Sequence, residues 1–555
     1  MDGPMRPSFN LVSDPWILIV TLDGSTEEVS LRDLFRRAPG LKGIAGDIAQ
    51  QSLTILRLCL AIMYRGYGRL PDNEDDGFSE PEMLDGWKSV WERGSFSDGM
   101  VDGYLTEFED RFDLFGEHPF YQVAGLEYDS KNKKFDPITE MIADVPKRDK
   151  FLFTMREKSA SPEIPFGEAA RWLVYFQAYD CAGNKTPVVG STHINKGKVF
   201  SPKGIPSTGW LGTIGGVYLE GDNLFQTLML NWVMCDDEGR EYFGVPGDVP
   251  VWEAPVTECD YRLINPKGPA QLFSWQSRRI RLVLGETGDT VVGVISCYGD
   301  IPCPTDMPVV ETMTAWHKST EKQKTLGTPY IPWMPQTHDC SKAIWRGLGA
   351  ILSRGEVSEG DFRPGVIRWL ARLREEDVED LPREPVVHAQ GVEYKSNSTV
   401  ISSMDDHISL GLALQRNDAV AIARTVGVVS DTDKAVYQLV LLVRSVERSQ
   451  GDKTKDKDPQ GVRIAKDVKE AAYLELDELF RNRIAEFSED KDPDRYCGEW
   501  RSDVHRRLLA IAGRYLDGAS ASLFSRRGQD SVPEARSKFR SQLNKILGPL
   551  QAENL

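Results

Sequence analysis

Long apolar runs are scarce in this sequence. No stretch of its 555 residues approaches the ~18–20 unbroken apolar residues of a membrane-spanning helix, which excludes an ordinary helical membrane protein. Residues Met1 to Asn10 lack the basic-then-apolar pattern of a secretory leader, so the expected compartment is the cytoplasm, with no membrane partner. Cysteine is sparse: eight thiols scattered along the chain set out no disulfide framework. Histidine is equally sparse, at seven, and no His-Glu-x-x-His occurs. Also missing are the phosphate loop Gly-x-x-x-x-Gly-Lys-Ser/Thr and a Gly-x-Gly-x-x-Gly following a strand. The glycines Gly209, Gly212, Gly215 and Gly216 carry no following lysine and read as turn formers. Positive charge is short overall, with 67 Lys/Arg against 84 Asp/Glu and a net charge of −17, which argues against a generic nucleic-acid coat protein.

What is present is an ordinary globular mix, 40% apolar and 27% charged, long enough for two to four domains of about 150 residues. The charge is unevenly placed. Residues 181–219 hold Lys185, Lys196, Lys198 and Lys203 and no acid. Residues 501–550 hold ten Lys/Arg, among them Arg526, Arg527 and Arg540, against four acids, a net of +6. Between 131 and 160 eight Lys/Arg face five acids with no helical or strand periodicity, and Phe151, Phe153 and Met155 lie among them. Basic patches on an acidic body suit a protein that meets a polyanion at chosen places and repels it elsewhere.

The pattern along the chain predicts an α+β architecture. Trp16 to Leu22, the turn Asp23-Gly24 and Glu28-Val29-Ser30 read as a hairpin. Ser30 is placed to cap a helix over 31–37 that stops at Pro39-Gly40. Helices are expected at 47–64, 81–92, 101–115, 167–179, 223–234, 339–354 and 360–374, and a hairpin over Arg279–Leu284 and Thr290–Ser296. Trp172, Tyr175, Phe176 and Tyr179 form a stripe at helical spacing and read as core. An acidic, proline-containing stretch at 375–384 reads as a linker. Beyond about 404 the expectation is helices at 408–426, 432–449, 462–488, 498–516 and 533–549, joined in part by the solvated tract 452–458.

Two constellations carry possible chemistry. Asp405-Asp406-His407 has the ligand types of a divalent-metal nuclease or phosphoesterase, and its plainer reading is an acidic cap before the 408–426 helix. Cys297 and Cys303 are separated by five residues, with Cys235 and Cys259 as the nearest further thiols; they lack the close pairs of a zinc site and read as loop and core cysteines.

A resemblance covers nearly the whole chain. The opening Ser8-Phe9-Asn10-Leu11-Val12-Ser13-Asp14-Pro15-Trp16-Ile17 and the element Phe115-Gly116-Glu117-His118-Pro119-Phe120-Tyr121-Gln122 resemble the CasA family, the large subunits of the type I-E CRISPR surveillance complex Cascade. Leu272-Phe273-Ser274-Trp275-Gln276 agrees more weakly. The resemblance implies an irregular mixed N-terminal domain, 1–395, followed by a C-terminal four-helix bundle, 404–555. It implies a non-enzymatic subunit without cofactor. Its partners are the other Cascade subunits, the CRISPR guide RNA, double-stranded target DNA and a separate nuclease-helicase. The implied task is to recognise the motif flanking the target (the PAM) and open the adjacent duplex so that R-loop formation begins, as part of antiviral defence. The family's glycine loop falls on Gly183, Asn184 and Lys185. Its wedge falls on Lys395, Ser396 and Asn397, with Asn397 where a glutamine is usual. Its flexible basic loop falls on about 130–163, with Phe153 as an anchor. The family's lysine finger falls near Asp306-Met307, where no lysine stands; Lys318 and Lys322 follow downstream.

Overall fold

The computed structural model describes residues 7–68, 80–96, 99–145, 163–202, 205, 207–235, 245–254, 256–353, 363–395, 399–452, 454–518 and 531–550. The chain divides into two compact units, Met1–Lys342 with Glu359–His407, and Ala343–Ser358 with Ile408–Leu555.

The first unit mixes helices with small sheets. β1 (Ile17–Thr21) pairs with β2 (Thr26–Val29) on one edge and β3 (Leu41–Ile44) on the other. Gly24 turns the hairpin at φ +85°, a conformation that costs glycine little. Ser30 accepts a hydrogen bond from the Asp33 amide and starts α1 (Leu31–Arg37). α2 (Gln50–Gly68) is buried on nearly every face, as its apolar sequence demands. Arg57 is the charged residue among its buried positions. Its guanidinium meets Glu311 at 2.9 and 2.8 Å, with both side chains almost wholly buried. α3 (Glu80–Arg93), α4 (Met100–Glu107) and α5 (Phe166–Tyr179) follow. Trp172, Tyr175, Phe176 and Tyr179 are all buried on α5.

The rest of this unit is built from short elements. β4 (Ile194–Asn195) and β5 (Lys198–Val199) form a two-residue hairpin, and β6 (Gly216–Glu220) leads to α6 (Leu224–Asn231). After α7 (Pro269–Phe273), β7 (Arg278–Leu284) and β8 (Thr290–Tyr298) pair antiparallel from Arg278↔Tyr298 onward. α8 (Thr320–Leu326) is capped by Ser319. The helices expected at 101–115 and 339–354 are shorter: the first ends at Glu107 before a 3-10 turn, and the second, which falls in the other unit, reduces to a 3-10 turn and α9 (Leu348–Leu352). α10 (Gly365–Glu375) follows. Of the basic stretch 131–160, Asp136–Pro137 adds a short strand to β8. Residues 146–162, including Phe153, lie outside the described residues.

Between 386 and 409 the chain forms two strands, the second running past the helix start expected at 408. β9 (Val386–Lys395) and β10 (Thr399–Ser409) are neighbours in a three-stranded sheet of order β10-β9-β6, with Val386↔Glu220 through Gln390↔Gly216 in register. Asp405-Asp406-His407 therefore belongs to a strand and caps nothing. The helical pattern begins only at α11 (Leu412–Gln415).

In the second unit α12 (Ala419–Ser449) runs unbroken where two helices were expected. Gly427, Ser430 and Asp431 look like a break in sequence. In place, Thr432 Oγ1 donates to the Val428 carbonyl at 2.8 Å, and Arg501 closes on Asp431 at 3.0 Å. Tertiary partners thus hold the helix through a weak stretch. α13 (Pro459–Ala485), α14 (Pro493–Asp517) and α15 (Val532–Leu547) each pack on α12, and α14 also packs on α13 and α15. The bundle core is the stripe Leu476, Phe480, Ile484, Trp500, Val504, Leu508 and Leu543. Among the described residues no helix is long and apolar enough to cross a membrane.

Candidate nucleic-acid interface

The residues that mark the resemblance are mostly scaffold. Asn10 pairs with Asp113, Leu11 N donates to Phe112 O, and Trp16 Nε1 donates to Leu11 O at 3.0 Å. Gln122 donates to Leu114 O at 2.9 Å and accepts from Leu282 N at 2.8 Å, tying its loop to β7. Trp275 Nε1 reaches Asp300 O at 2.9 Å. These buried polar groups each find a partner, which fixes the loops without helices or long strands.

The candidate elements converge on the end of α5. Asp180, its C-cap, is buried, and its Oδ2 accepts from both Lys185 Nζ and Arg278 Nε at 2.5 Å. The remaining Arg278 donors go to the carbonyls of Ser277, Asp180, Cys181 and Ser207. Tyr298 Oη donates to the Gly183 carbonyl at 2.8 Å, so the loop 181–185 is held from beneath. Lys185 also exchanges both backbone hydrogen bonds with Val199.

The second element comes to the same place. Tyr394 Oη on β9 donates to the Tyr179 carbonyl at 2.6 Å, one residue before Asp180. Gly209 and Gly212 allow this junction. A Cβ on Gly209 would lie 2.3 Å from the Ala178 carbonyl, and one on Gly212 would lie 2.6 Å from the Tyr394 hydroxyl. Both glycines lie in the 3-10 turn around Trp210–Thr213, as turn formers should, and the same positions also need the absence of a side chain for this close approach.

The expected site residues fare differently. Gly183 has open space on the side where a Cβ would project, and Asn184 is exposed. Lys185 differs from its expected free placement: its ammonium turns inward onto Asp180, with 13% of the side chain exposed. A buried carboxylate draws the nearest flexible cation, which the acid-free composition of 181–219 hid because Asp180 lies just outside it. Lys395 is exposed at the end of β9; Ser396 and Asn397 lie outside the described residues. Arg526 and Arg527 lie outside them too, while Arg540 is exposed on α15. Near Asp306, Lys318 sits over the Trp333 ring at 5.5 Å. Sequence reasoning missed Asp180, Arg278 and Tyr394. The signal available for Asp180 was its place as the last acid of an aromatic helix before a lysine-bearing stretch.

The metal reading of Asp405-Asp406-His407 loses its geometry. Along a strand, successive side chains point to opposite faces, so Asp406 points away from Asp405 and His407. Asp405 accepts from Gln390 Nε2 at 2.9 Å, and His407 stacks on His388 with centroids 5.4 Å apart. Among the described residues no group of three or more His, Cys, Asp or Glu could hold a metal ion. Cys297 lies in the core beside Val188, Val199 and Tyr298, where burial pushes its thiol pKa up.

Comparison with known proteins bears on the whole chain. No curated protein sequence matches it. Among solved structures, Thermobifida fusca Cse1 is 30% identical, with 98% of each chain covered and a TM-score of 0.82. Cse1 from Acidimicrobium ferrooxidans is 26% identical, covering 98% of this chain and 99% of its own, with a TM-score of 0.80. A chain of a solved CRISPR RNA-guided surveillance complex is 17% identical, covering 97% and 100%, with a TM-score of 0.68. In Thermus thermophilus the same protein is named both CasA and Cse1. The sequence model described as CRISPR-associated protein Cse1 matches residues 10–512, and the chain therefore belongs to the Cse1 (CasA) family.

Proposed function

We propose that this chain is the large subunit of a cytoplasmic Cascade-type complex, assembled with other Cascade subunits and a CRISPR guide RNA. In that complex it recognises the PAM of double-stranded target DNA and opens the adjacent duplex so that the guide can begin an R-loop. It then helps recruit a separate nuclease-helicase and catalyses no reaction itself. The support at the level of fold is the shared architecture with a chain of an RNA-guided surveillance complex. The observation that carries the reading is the junction at Tyr179-Asp180, from which both the 183–185 loop and the β9–β10 hairpin are held.

The division of labour follows from what each element presents. Gly183 leaves open space where a side chain would project, and Asn184 offers an exposed amide, which together suit close approach to the sparse pattern of a minor groove. Lys185, paired inside, orders that loop and reaches a phosphate only by leaving Asp180 to Arg278. Lys395 is exposed at the end of β9, and Val400 and Ile401 are exposed on opposite faces of β10; the wedge role is assigned to Lys395, Ser396 and Asn397. Opening duplex DNA costs about 1.4 kcal/mol per step, so a tip that holds even one open step changes opening about tenfold. Phe153 of the basic stretch 130–163, and Arg526, Arg527 and Arg540 of the basic stretch 501–550, complete the assignment as contacts to flanking DNA and to nucleic-acid backbone.

The test uses the assembled complex with duplexes that differ only in the motif beside the protospacer. We expect tighter binding to one motif, and Asn184→Ala to narrow that preference. Deleting Ser396 and Asn397 should slow opening, reported by a fluorescent base analogue at the first protospacer pair, and a pre-opened bubble should restore it. Equal binding of all motifs, together with wild-type opening in the deletion variant, would overturn the reading.

A further inference from the structure

The lysines of 181–219 separate by depth. Lys185 is held inside, whereas Lys196 stands in the turn of the β4–β5 hairpin and Lys198 opens its second strand, with every residue from Thr192 to Lys198 exposed. Neither lysine makes an ion pair among the described residues. The turn has positive φ at both central positions, Lys196 at +48° and Gly197 at +72°, the backbone of a two-residue hairpin. Glycine, asparagine or aspartate relieves the first of these positions, and a lysine there carries a steric cost of about 1–2 kcal/mol. The strained residue is a cation at the outermost point of the hairpin.

The foot of the hairpin is fixed. Val199 is fully buried beside Val188, Cys297 and Tyr298, and its backbone bonds both ways with Lys185. On the neighbouring segment Asp260 is engaged by Thr192 N at 2.8 Å, by Thr192 Oγ1 and by His193 Nδ1 at 3.0 Å, and Glu258 by Arg262. His193 stacks on Tyr261 at 4.1 Å, which stiffens the approach to the turn. The result is two free ammonium groups on a short rigid arm bolted to the 183–185 loop.

We propose that Lys196 and Lys198 clamp the sugar–phosphate backbone of the target duplex next to the motif read by the 183–185 loop. This rests on the DNA-recognition reading. Lysine serves as a point charge for phosphate and carries no planar fork for a base edge, so the arm positions DNA without specifying sequence. Two phosphate contacts contribute about two units to the slope of log affinity against log salt.

The experiment titrates the full complex with protospacer duplexes of matched and mismatched motif over a range of sodium chloride. For Lys196→Asn with Lys198→Ser, the turn is retained and the charge removed. We expect about tenfold weaker binding to both duplexes, a slope shallower by about two, and an unchanged ratio between motifs. Lys196→Arg with Lys198→Arg should behave as wild type. Unaltered affinity and slope in the charge-removed variant, while the wild type still distinguishes motifs, overturns the clamp and leaves the reading of the 183–185 loop standing. A wild-type complex that ignores the motif overturns that reading instead. A changed motif ratio assigns the hairpin to base reading, and failure of the variant to co-elute with the other subunits assigns it to assembly; either result overturns the proposal.

Discussion

Two stretches that look alike in charge, 181–219 and 501–550, use their cations in different ways. In the first, one lysine is drawn inside by an acid that lies one residue beyond the stretch, and two others are left free at a hairpin tip. In the second, several arginines are answered by acids far away in sequence or on the same helix. Arg501 reaches Asp431 at 3.0 Å, Arg514 reaches Glu475, and Arg506 reaches Asp503. Arg536, Lys538, Arg540 and Lys545 remain exposed on α15 without ion pairs among the described residues. A local excess of positive charge therefore counts candidates for a polyanion. Which of them are available is decided by acids that the fold delivers from elsewhere.

The largest effect expected from this contrast is on stability. Arg278→Met leaves a buried carboxylate and several carbonyls without their main donor, and should cost about 3–5 kcal/mol in the unfolding of the full chain. Lys185→Met leaves Arg278 on Asp180 and should cost about 1 kcal/mol. Equal losses in denaturant titrations would break the view that Lys185 is the expendable partner. A smaller effect is expected at the bundle. Joint replacement of Arg526, Arg527 and Arg540 by alanine should weaken nucleic-acid binding about tenfold for every sequence and flatten its salt dependence. Arg501→Ala, whose charge is already answered by Asp431, should leave the salt slope unchanged. A slope that responds equally to both would show that the ion pair with Asp431 does not withhold Arg501 from a polyanion. The smallest is Tyr394→Phe, which removes one hydrogen bond to Tyr179 O and should cost about 1 kcal/mol. If strand opening slows in that variant while motif preference holds, the hairpin is positioned by this contact independently of the loop; unchanged opening would separate the contact from the wedge.

The sequence by itself determined elements whose causes are local. The Asp23-Gly24 turn, the Ser30 cap of α1, the apolar periodicity of α2, the aromatic stripe of α5 and the β7–β8 hairpin all follow from neighbouring residues, and all stand close to where pattern places them. The family was equally legible, because Asn10, Trp16 and Gln122 make buried hydrogen bonds that few other residues could replace.

Only the tertiary structure decided the rest. Asp405-Asp406-His407 reads as a cap or a ligand set until pairing with β9 makes it a strand and turns its members to opposite faces. The apparent break at Gly427 to Asp431 becomes continuous helix because Arg501 supplies a partner from α14. Gly209 and Gly212 form the turn their sequence suggests, but only the packing of α5 and Tyr394 where their side chains would be shows why no other residue fits. Lys185 and Lys196 have the same chemistry and similar neighbours in sequence. One is buried on Asp180 and the other stands free at a turn, because burial and electrostatic pairing depend on distances between residues that are remote along the chain.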